Sequence, residues 1–248
     1  MRADSKVSGA FRERVDSAAG SAETGRMTLK LYYHPFSSYC QKVLTALYER
    51  DVPFDGVIVD LGDPAQKAEL ERLWPVGKFP VLRDEARSVT VPEATLIVAY
   101  LDRARPGPSP LVPADPDSAL PVQLWDRFFD NYVMTPMQKA VADNFRPDGG
   151  HDPFGVEEAK ASLARAYGVL DDALAKGGEW VAGDAFSLAD CAAAPSLFYA
   201  NIVEPFAGRP NVEAYYGRLL ARPSFARAVE EARPYRHFFP LTWPADYA

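Results

Sequence analysis

Apolar residues near the start of the chain change their spacing from every second position to every third or fourth. Residues 29–33 alternate and are rich in strand-forming side chains, which predicts a β-strand. From Tyr39 onwards, Val43, Leu44 and Leu47 share one helical face. Between the two patterns, His34-Pro35-Phe36 ends the strand and Ser37-Ser38 supplies residues that favour the start of a helix. The sequence therefore predicts a strand followed at once by a helix.

Similar signals continue to about residue 105. They predict a strand at 54–60, a weakly amphipathic helix at 63–73, a strand at 78–84, a short strand at 88–91 and a helix opened by Pro92-Glu93. The first two strands should pair in parallel through a right-handed crossover. The resulting order, βαβαββα, predicts an α/β domain over residues 27–105.

A proline-rich stretch then divides the chain. Residues 106–117 contain Pro106, Pro108, Pro110, Pro113 and Pro116, which predicts a stiff linker. After it, residues 118–248 form a second region with helical periodicity. Its six segments, separated by Pro or Gly, are centred on 124–132, 137–144, 156–175, 188–203, 212–220 and 225–231. We expect a small α/β domain, an all-helical bundle domain, and chemistry in the cleft between them.

Composition argues against several classes of function. The 248 residues carry a formal net charge of −7 and no segment concentrates Lys and Arg, so a nucleic-acid partner is not expected. No apolar run reaches the roughly 18 residues of a membrane-spanning helix. Two cysteines, Cys40 and Cys191, are too few for a disulfide framework, which favours a reducing, cytoplasmic location. Residues 1–26 lack the apolar core of a secretory signal, and we expect a flexible tail there.

Three short motifs could carry chemistry, and the first is Ser37-Ser38-Tyr39-Cys40. Free N–H groups and the dipole at a helix start stabilise a thiolate, and a serine hydroxyl can add a hydrogen bond. A simpler interpretation is that Ser37 caps the helix and Cys40 is a buried apolar residue. The Ser37-x-x-Cys40 spacing also resembles a redox pair that lacks its first sulfur, which leaves thiol or peroxide chemistry through Cys40 as an alternative.

The second and third motifs concern the backbone as much as the side chains. If the Phe79-Pro80 bond is cis, the N–H and C=O of Phe79 can pair with an extended peptide, whereas a trans proline would simply begin an edge strand. The start of a helix at Glu93-Ala94 could hold a carboxylate and an ammonium group, or Glu93 could merely complement the helix dipole. Together, a thiolate site, a peptide-pairing edge and a zwitterion site describe an extended thiol tripeptide.

From about Met27 to about Tyr235, the chain resembles a cytosolic glutathione transferase of the serine type, with a bacterial-like character. Its first half resembles the family's thioredoxin-like glutathione domain in Leu31-Tyr32-Tyr33, in Ser37-Ser38-Tyr39-Cys40 and in Trp74-Pro75-Val76-Gly77-Lys78-Phe79-Pro80-Val81-Leu82. The second half resembles the family's helical domain in Gly183-Asp184-Ala185-Phe186-Ser187-Leu188-Ala189-Asp190, where Ser187 and Asp190 are spaced as a capping box, and in Arg222-Pro223. The combination is specific, although each piece alone is weak.

The resemblance implies roles for individual residues. Ser37 would donate a hydrogen bond to the glutathione thiolate, and Phe79, beside a cis Pro80, would pair with the cysteinyl backbone. Glu93 and Ala94 would meet the γ-glutamyl end, while Lys78 would reach the glycyl carboxylate. Six aromatic residues are expected to divide between the electrophile pocket and the helical core: Tyr33, His34, Trp125, Phe128, Phe129 and Tyr132.

One position departs from the family pattern. The residue after the acid is usually Ser or Thr, whose hydroxyl binds the γ-glutamyl carboxylate, but here it is Ala94, with Thr95 one residue later. Loss of such a bond costs roughly 1.5–3 kcal/mol, about tenfold or more in affinity.

The resemblance implies a detoxifying transferase that adds the glutathione thiolate to a small hydrophobic electrophile. Glutathione would be its co-substrate, no metal would be needed, and the protein would form a homodimer. Two alternatives stay open: a glutathione-dependent thiol or peroxide reductase acting through Cys40, and a non-catalytic ligand-binding or interaction module on the same fold.

Overall fold

The first part of the chain forms the strands and helices that its hydrophobic pattern predicts. The computed structural model describes residues 28–107 and 109–244; the tail predicted for residues 1–26 lies outside them. The elements run in the order β1 (Leu29–Tyr33), α1 (Ser38–Glu49), β2 (Asp55–Ile58), α2 (Pro64–Leu73), β3 (Val81–Asp84), β4 (Val89–Pro92) and α3 (Ala94–Ala104). The predicted order βαβαββα is confirmed, although three predicted strands have different ends.

A four-stranded mixed sheet forms the centre of this α/β domain, with the strand order β2-β1-β3-β4. Strand β1 pairs in parallel with β2 and antiparallel with β3. Alternation along β1 places Leu29 and Leu31 in the core with α1 and α3, while Tyr32 packs with Leu70 of α2 on the opposite face. Both faces of β1 are therefore covered, as the thioredoxin-like prediction requires.

The rest of the described chain is helical. It contains α4 (Pro116–Phe128), a π-helical stretch (Phe129–Met134), α5 (Thr135–Asp143), α6 (Pro153–Leu174), α7 (Leu188–Val203), α8 (Pro210–Ala221), α9 (Pro223–Ala232) and a 3₁₀ helix (Arg233–Phe238). The π-helical stretch joins α4 to α5 without a gap, so the break predicted between residues 132 and 137 is absent from this region. Pro136 lies in the first turn of α5, next to the π-helical stretch, and does not interrupt the described helix. None of the described helices is both long and apolar enough to cross a membrane.

Helix α7 forms the centre of the helical domain. It is apolar on all sides, and Cys191, Ala193 and Leu197 are fully buried. The predicted capping box at its start is confirmed: Asp190 accepts a hydrogen bond from the Ser187 N–H at 2.9 Å. Asp190 also accepts one from the Tyr215 hydroxyl of α8 at 2.6 Å. This start of α7 is therefore fixed to the neighbouring helix.

Helix α1 links the two domains because it packs against α7 and α9 and shares a hydrophobic core with β1 and β3. At its C-terminal end, Glu49 pairs with Arg222 and accepts a hydrogen bond from Ser224 at 2.8 Å. At its N-terminal end, Gln41 donates a hydrogen bond to the hydroxyl of Tyr199 on α7 at 3.0 Å. The loop before α1 is consequently held at the junction of the domains.

Candidate functional site

The start of α1 places Ser37 at the N-cap with its hydroxyl at the domain junction. The Ser37 Oγ accepts a hydrogen bond from the Cys40 N–H at 3.4 Å, and the Ser37 N–H donates to the His34 carbonyl at 3.0 Å. The N–H groups of Ser38 and Tyr39 belong to the first helical turn, so they have no hydrogen-bond acceptor inside the helix. The cap occupies a lone pair of the Ser37 oxygen and does not use its hydroxyl proton.

Cys40 lies beneath this cap, inside the core. Its side chain has no exposed surface, and burial raises the pKa of its thiol to about 12, outweighing the lowering effect of hydrogen bonds with Ser37 and His34. A thiol that is neither ionised nor accessible is a poor nucleophile. The interpretation of Cys40 as a buried apolar residue fits this environment, while chemistry through its sulfur does not.

The loop between α2 and β3 contains the peptide-pairing motif. The Phe79–Pro80 bond is cis. Before it, Gly77 has a φ of +67° and closes a turn through its N–H to the Trp74 carbonyl at 2.9 Å, a backbone conformation that glycine adopts readily. Within the described residues, no backbone hydrogen bond outside the helices and strands uses Phe79. Its peptide groups therefore remain open to an extended ligand.

The start of α3 carries the clearest backbone strain at the domain junction. Glu93 has a φ of +70° without being glycine, and its exposed side chain makes no capping hydrogen bond. Such conformations cost about 1–3 kcal/mol and cluster at functional sites. The side chain of Ala94, the next residue, is buried. The strained turn thus presents a carboxylate beside the free N–H groups of a helix start.

These loop and helix-start segments meet in a cavity of about 310 Å³ that we call the polar cavity. Its lining comes from the α/β domain and from the helices after the linker: Tyr39, Trp74, Val76, Lys78, Phe79, Pro80, Glu93, Ala94, Arg127, Asp130, Asn131 and Gln138. Five predicted glutathione-site residues are brought together here. Burial raises the pKa of the Tyr39 phenol to about 12, so its hydroxyl stays protonated near neutral pH.

Beneath the polar cavity lies a cluster that we call the charge network, made of Lys42, Thr95, Asp126, Arg127 and Asp130. The buried Lys42 ammonium lies 2.5 Å from Asp126 Oδ1 and 3.0 Å from Asp130 Oδ2. Arg127 bonds both carboxylates as well, at 2.7 Å from its Nη2 to Asp126 Oδ2. Burial lowers the pKa of the Arg127 guanidinium, but the two carboxylates outweigh that effect and the net shift is upward. Two cations thus balance two carboxylates across the domain junction.

A second cavity of about 440 Å³, the apolar cavity, adjoins the first. Gln138 lines both. The apolar cavity is bounded by Phe36, Ser37, Ser38, Met137, Gln138, Val141, Ala142, Phe145, Tyr199, Phe238, Phe239 and Pro240. Ser37, the predicted thiolate donor, thus lies in its wall rather than in the lining of the polar cavity.

None of the six aromatic residues predicted for the electrophile pocket lines the apolar cavity, among the residues that the structure describes. His34 contacts one residue of that lining, because its ring lies 5.7 Å from the Phe238 ring; it also stacks on Phe79 at 6.2 Å between centroids. Tyr33 lines a separate cleft with Tyr48. Burial is the main cause that lowers the pKa of the His34 imidazole, so this ring stays neutral at neutral pH.

The other four predicted aromatic residues lie on α4 and the π-helical stretch. Phe129 is fully buried in the core, and the Trp125 ring packs against the Phe128 ring at 4.8 Å. Phe128 and Tyr132 line an outer groove facing α6. These four side chains therefore lie in the core or at an outer groove. The helical domain lines the apolar cavity with residues of α5 instead.

The C-terminal segment of the described chain contributes to the site, although its sequence did not predict this. Phe238, Phe239 and Pro240 line the apolar cavity, and Phe239 packs at 6.1 Å from the Phe36 ring. The run of aromatic residues after the last predicted helix could have indicated a packed segment, but it does not show which surface those residues cover. Tyr199 was also missed; its hydroxyl donates to the Phe36 carbonyl at 3.0 Å and steadies the loop before α1.

Comparisons with known proteins identify the family of this chain. Residues 31–109 match the family model for the glutathione S-transferase N-terminal domain, and residues 153–218 match that for the C-terminal domain. Glutathione S-transferase 3 of Zea mays is 32% identical over 214 residues, which cover 81% of this chain and 93% of the relative. A glutathione S-transferase of Pseudomonas putida is 30% identical over 210 residues, covering 82% and 92%.

Solved structures lead to the same family. A glutathione S-transferase from Methylobacillus flagellatus, solved with GSH bound, has a TM-score of 0.72 and 29% sequence identity, covering 81% of this chain and 98% of that one. Glutathione transferase F1 of poplar has a TM-score of 0.73 at 24% identity and supports the fold.

Proposed function

This chain belongs to the glutathione S-transferase family, and we propose that it holds glutathione in the polar cavity and adds its sulfur to an electrophile held in the apolar cavity. The single observation that carries this assignment is the convergence on one cavity of Lys78, Phe79, Glu93 and Ala94, which come from separate segments. The adjoining wall contains Ser37. The bound GSH of the Methylobacillus relative supports the same ligand class.

Glutathione would lie extended across the loops of the α/β domain. The open peptide groups of Phe79 would pair with the cysteinyl part, as in the addition of a strand to a sheet edge. Glu93 would bind the γ-glutamyl ammonium, and the N–H groups at the start of α3 would face its carboxylate. Lys78 is exposed at the cavity and would meet the glycyl carboxylate. These contacts would direct the sulfur towards Ser37.

Ser37 would act as a hydrogen-bond donor to the thiolate. The cap does not use the hydroxyl proton, and the start of α1 adds favourable backbone dipoles. The thiol proton leaves to solvent, the thiolate attacks the electrophilic carbon, and a C–S bond forms as the leaving group departs with its electron pair. The apolar cavity excludes water from this step and is suited to a small aromatic electrophile.

The finer assignments are also proposals. We propose a cytoplasmic detoxifying enzyme that works as a homodimer. Support for the dimer comes from the outer groove between the π-helical stretch and α6, where Tyr132 and Val169 are exposed. Leu120 and Leu124 of α4 are exposed as well, which extends the apolar character of the helical domain's surface.

The test is the conjugation of glutathione with 1-chloro-2,4-dinitrobenzene by the wild type and the Ser37→Ala variant. We expect the variant to lose about 10²–10³-fold in kcat/KM, the typical loss for one donor to a reacting anion. Its pH profile should also move to higher pH, because the thiol of bound glutathione would ionise less readily. Rates and profile are measured at saturating glutathione across pH 5.5–9.

Two variants separate catalysis from helix capping. Ser37→Gly removes the hydroxyl but caps nearly as well as serine, so it should be as inactive as Ser37→Ala while losing less stability. Ser38→Ala removes the neighbouring hydroxyl and should retain most of the activity. Equal turnover in Ser37→Ala and wild type would remove Ser37 from the mechanism. Glutathione binding without conjugation of any electrophile would instead indicate a ligand-binding module.

A further inference from the structure

The hydroxyl that Ala94 lacks is not replaced by Thr95. The Thr95 Oγ1 lies 2.9 Å from the Lys42 ammonium and 3.0 Å from Asp126 Oδ2, and it is also bonded to Arg127. All of these partners belong to the charge network beneath the polar cavity. The threonine hydroxyl is therefore committed to protein groups, and a ligand carboxylate at the start of α3 needs a donor from elsewhere.

Arg127 provides a donor at this position. Its guanidinium bonds the hydroxyl of Thr95, the residue next to Ala94, and it lines the polar cavity together with Glu93 and Ala94. Its side chain is 50% exposed, in contrast to Lys42 at 1%. Arg127 is thus the cation of the charge network that a ligand can reach.

The charge network also fixes the orientation of this guanidinium. Its Nε and Nη2 donate to Asp126 Oδ2 at 2.9 and 2.7 Å, and Nη2 also bonds Asp130. Within the described residues, Nη1 makes no hydrogen bond, so the two N–H groups of this one nitrogen remain open. An arginine held in this way loses little conformational entropy when it binds a carboxylate.

We propose that Arg127 binds the α-carboxylate of the γ-glutamyl group, in place of the hydroxyl that Ala94 lacks. The inference rests on the proposed function. Glu93 and Arg127 then present opposite charges to the two ends of one amino-acid zwitterion. The helical domain supplies this donor from α4, so the glutathione site is completed only when both domains are in place.

The test compares glutathione affinity, measured by calorimetry, in four proteins: wild type, Arg127→Gln, Ala94→Ser and the double variant. Arg127→Gln should bind about tenfold or more weakly, the usual loss for a hydrogen bond to a charged group. Ala94→Ser should strengthen binding in the Arg127→Gln background more than in the wild type, because both donors would serve the same carboxylate. Equal gains in the two backgrounds would contradict a shared partner.

A ligand analogue tests the same contact without altering the protein. 4-Aminobutyryl-cysteinyl-glycine keeps the thiol, the glycyl carboxylate and an amine but lacks the γ-glutamyl carboxylate. The wild type should bind it at least tenfold more weakly than glutathione, whereas Arg127→Gln should discriminate far less. If the wild type bound glutathione and the analogue with equal affinity, the proposal would be overturned.

Two further measurements exclude a merely structural effect. Arg233→Gln removes a comparable half-exposed arginine, paired with Glu230 at 2.9 Å, and should leave glutathione affinity unchanged. Thermal melting reports whether Arg127→Gln is folded; if it is not, Arg127→Lys takes its place and should still discriminate less than wild type. Wild type that binds no glutathione would instead refute the proposed function itself.

Discussion

The two cavities at the domain junction adjoin each other but are built in different ways. In the α/β domain, the polar cavity takes its shape from one loop and two helix starts, and hydrogen-bonded charges such as Lys42 and Arg127 support it. The apolar cavity is an assembly of side chains from α5, α7 and the C-terminal segment, held by ring packing. The first depends on fixed donors and charges, the second on covered apolar area.

This difference matches what each cavity would bind. A tripeptide with charged ends requires donors at set positions, since a misplaced or missing partner for a buried charge costs several kcal/mol. An apolar electrophile needs exclusion of water more than directional bonds, because the hydrophobic effect is non-directional. Removing the supports of one cavity should therefore weaken binding of its own ligand and leave binding in the other cavity unchanged.

The largest effect should come from removing the support of the polar cavity with Lys42→Met. The variant leaves Asp126 and Asp130 buried with Arg127 as their remaining cation, and breaking a buried ion pair in this way costs about 3–5 kcal/mol. We expect that loss in the free energy of unfolding, measured by urea denaturation at pH 7.

Two variants control for the loss of the lysine side chain itself. Lys160→Met removes a surface lysine paired with Glu157 at 3.3 Å and should change stability by less than about 1 kcal/mol. Adding Asp126→Asn and Asp130→Asn to Lys42→Met should recover much of the lost stability, since the uncompensated charges disappear. A Lys42→Met protein as stable as wild type would show that the charge network does not support the cavity.

The polar cavity was largely predictable because its parts are short contiguous motifs. Pro80 precedes a strand and Glu93 opens a helix, so the local backbone of each residue follows from its neighbours. The same holds for Ser37 in the wall of the apolar cavity, because a helical pattern follows it. Ala94 could be recognised as a departure for the same reason. Its compensation could not, since Arg127 lies 32 residues beyond Thr95 and their contact depends on how the domains pack.

The apolar cavity was not predictable to the same degree. Periodicity shows which residues share a helical face but not what covers that face, so it could not say which of the aromatic residues pack in the core. Phe129 is fully buried there, and the partly buried Trp125 packs against it. The π-helical stretch then changes the angular relation between α4 and α5, which a 3.6-residue period does not capture. The contribution of the C-terminal segment depends entirely on tertiary packing.

A smaller effect, confined to the apolar cavity, is expected for Phe239→Ala. The Phe239 ring packs at 5.2 Å from Trp243 and 5.8 Å from Tyr199, and truncation opens the cavity to water. At saturating glutathione, the KM for an aromatic electrophile should rise about tenfold, corresponding to about 1.4 kcal/mol of lost apolar contact. Glutathione affinity should stay within twofold of wild type.

Phe154→Ala is the matched control, because this exposed phenylalanine of α6 lies outside both cavities and its loss should leave the KM unchanged. Together with Arg127→Gln, the Phe239→Ala variant tests the separation of the two sites in both directions. A Phe239→Ala protein that loses glutathione affinity while its electrophile KM is unchanged would contradict that separation.

The smallest effect, essentially none, is expected from alkylating or substituting Cys40, whose thiol lies beneath the N-cap of α1. Cys40 is fully buried, and with a pKa of about 12 only on the order of one molecule in ten thousand would carry the thiolate at pH 8. Native protein should therefore resist iodoacetamide at pH 8, whereas Cys40 and Cys191 should both react after unfolding, as mass spectrometry can show.

Cys40→Ala should conjugate glutathione at nearly the wild-type rate, since the reacting sulfur belongs to the ligand. Alkylation of native Cys40 with parallel loss of activity would reverse this argument and place the thiol, rather than the Ser37 hydroxyl, at the boundary between the two cavities.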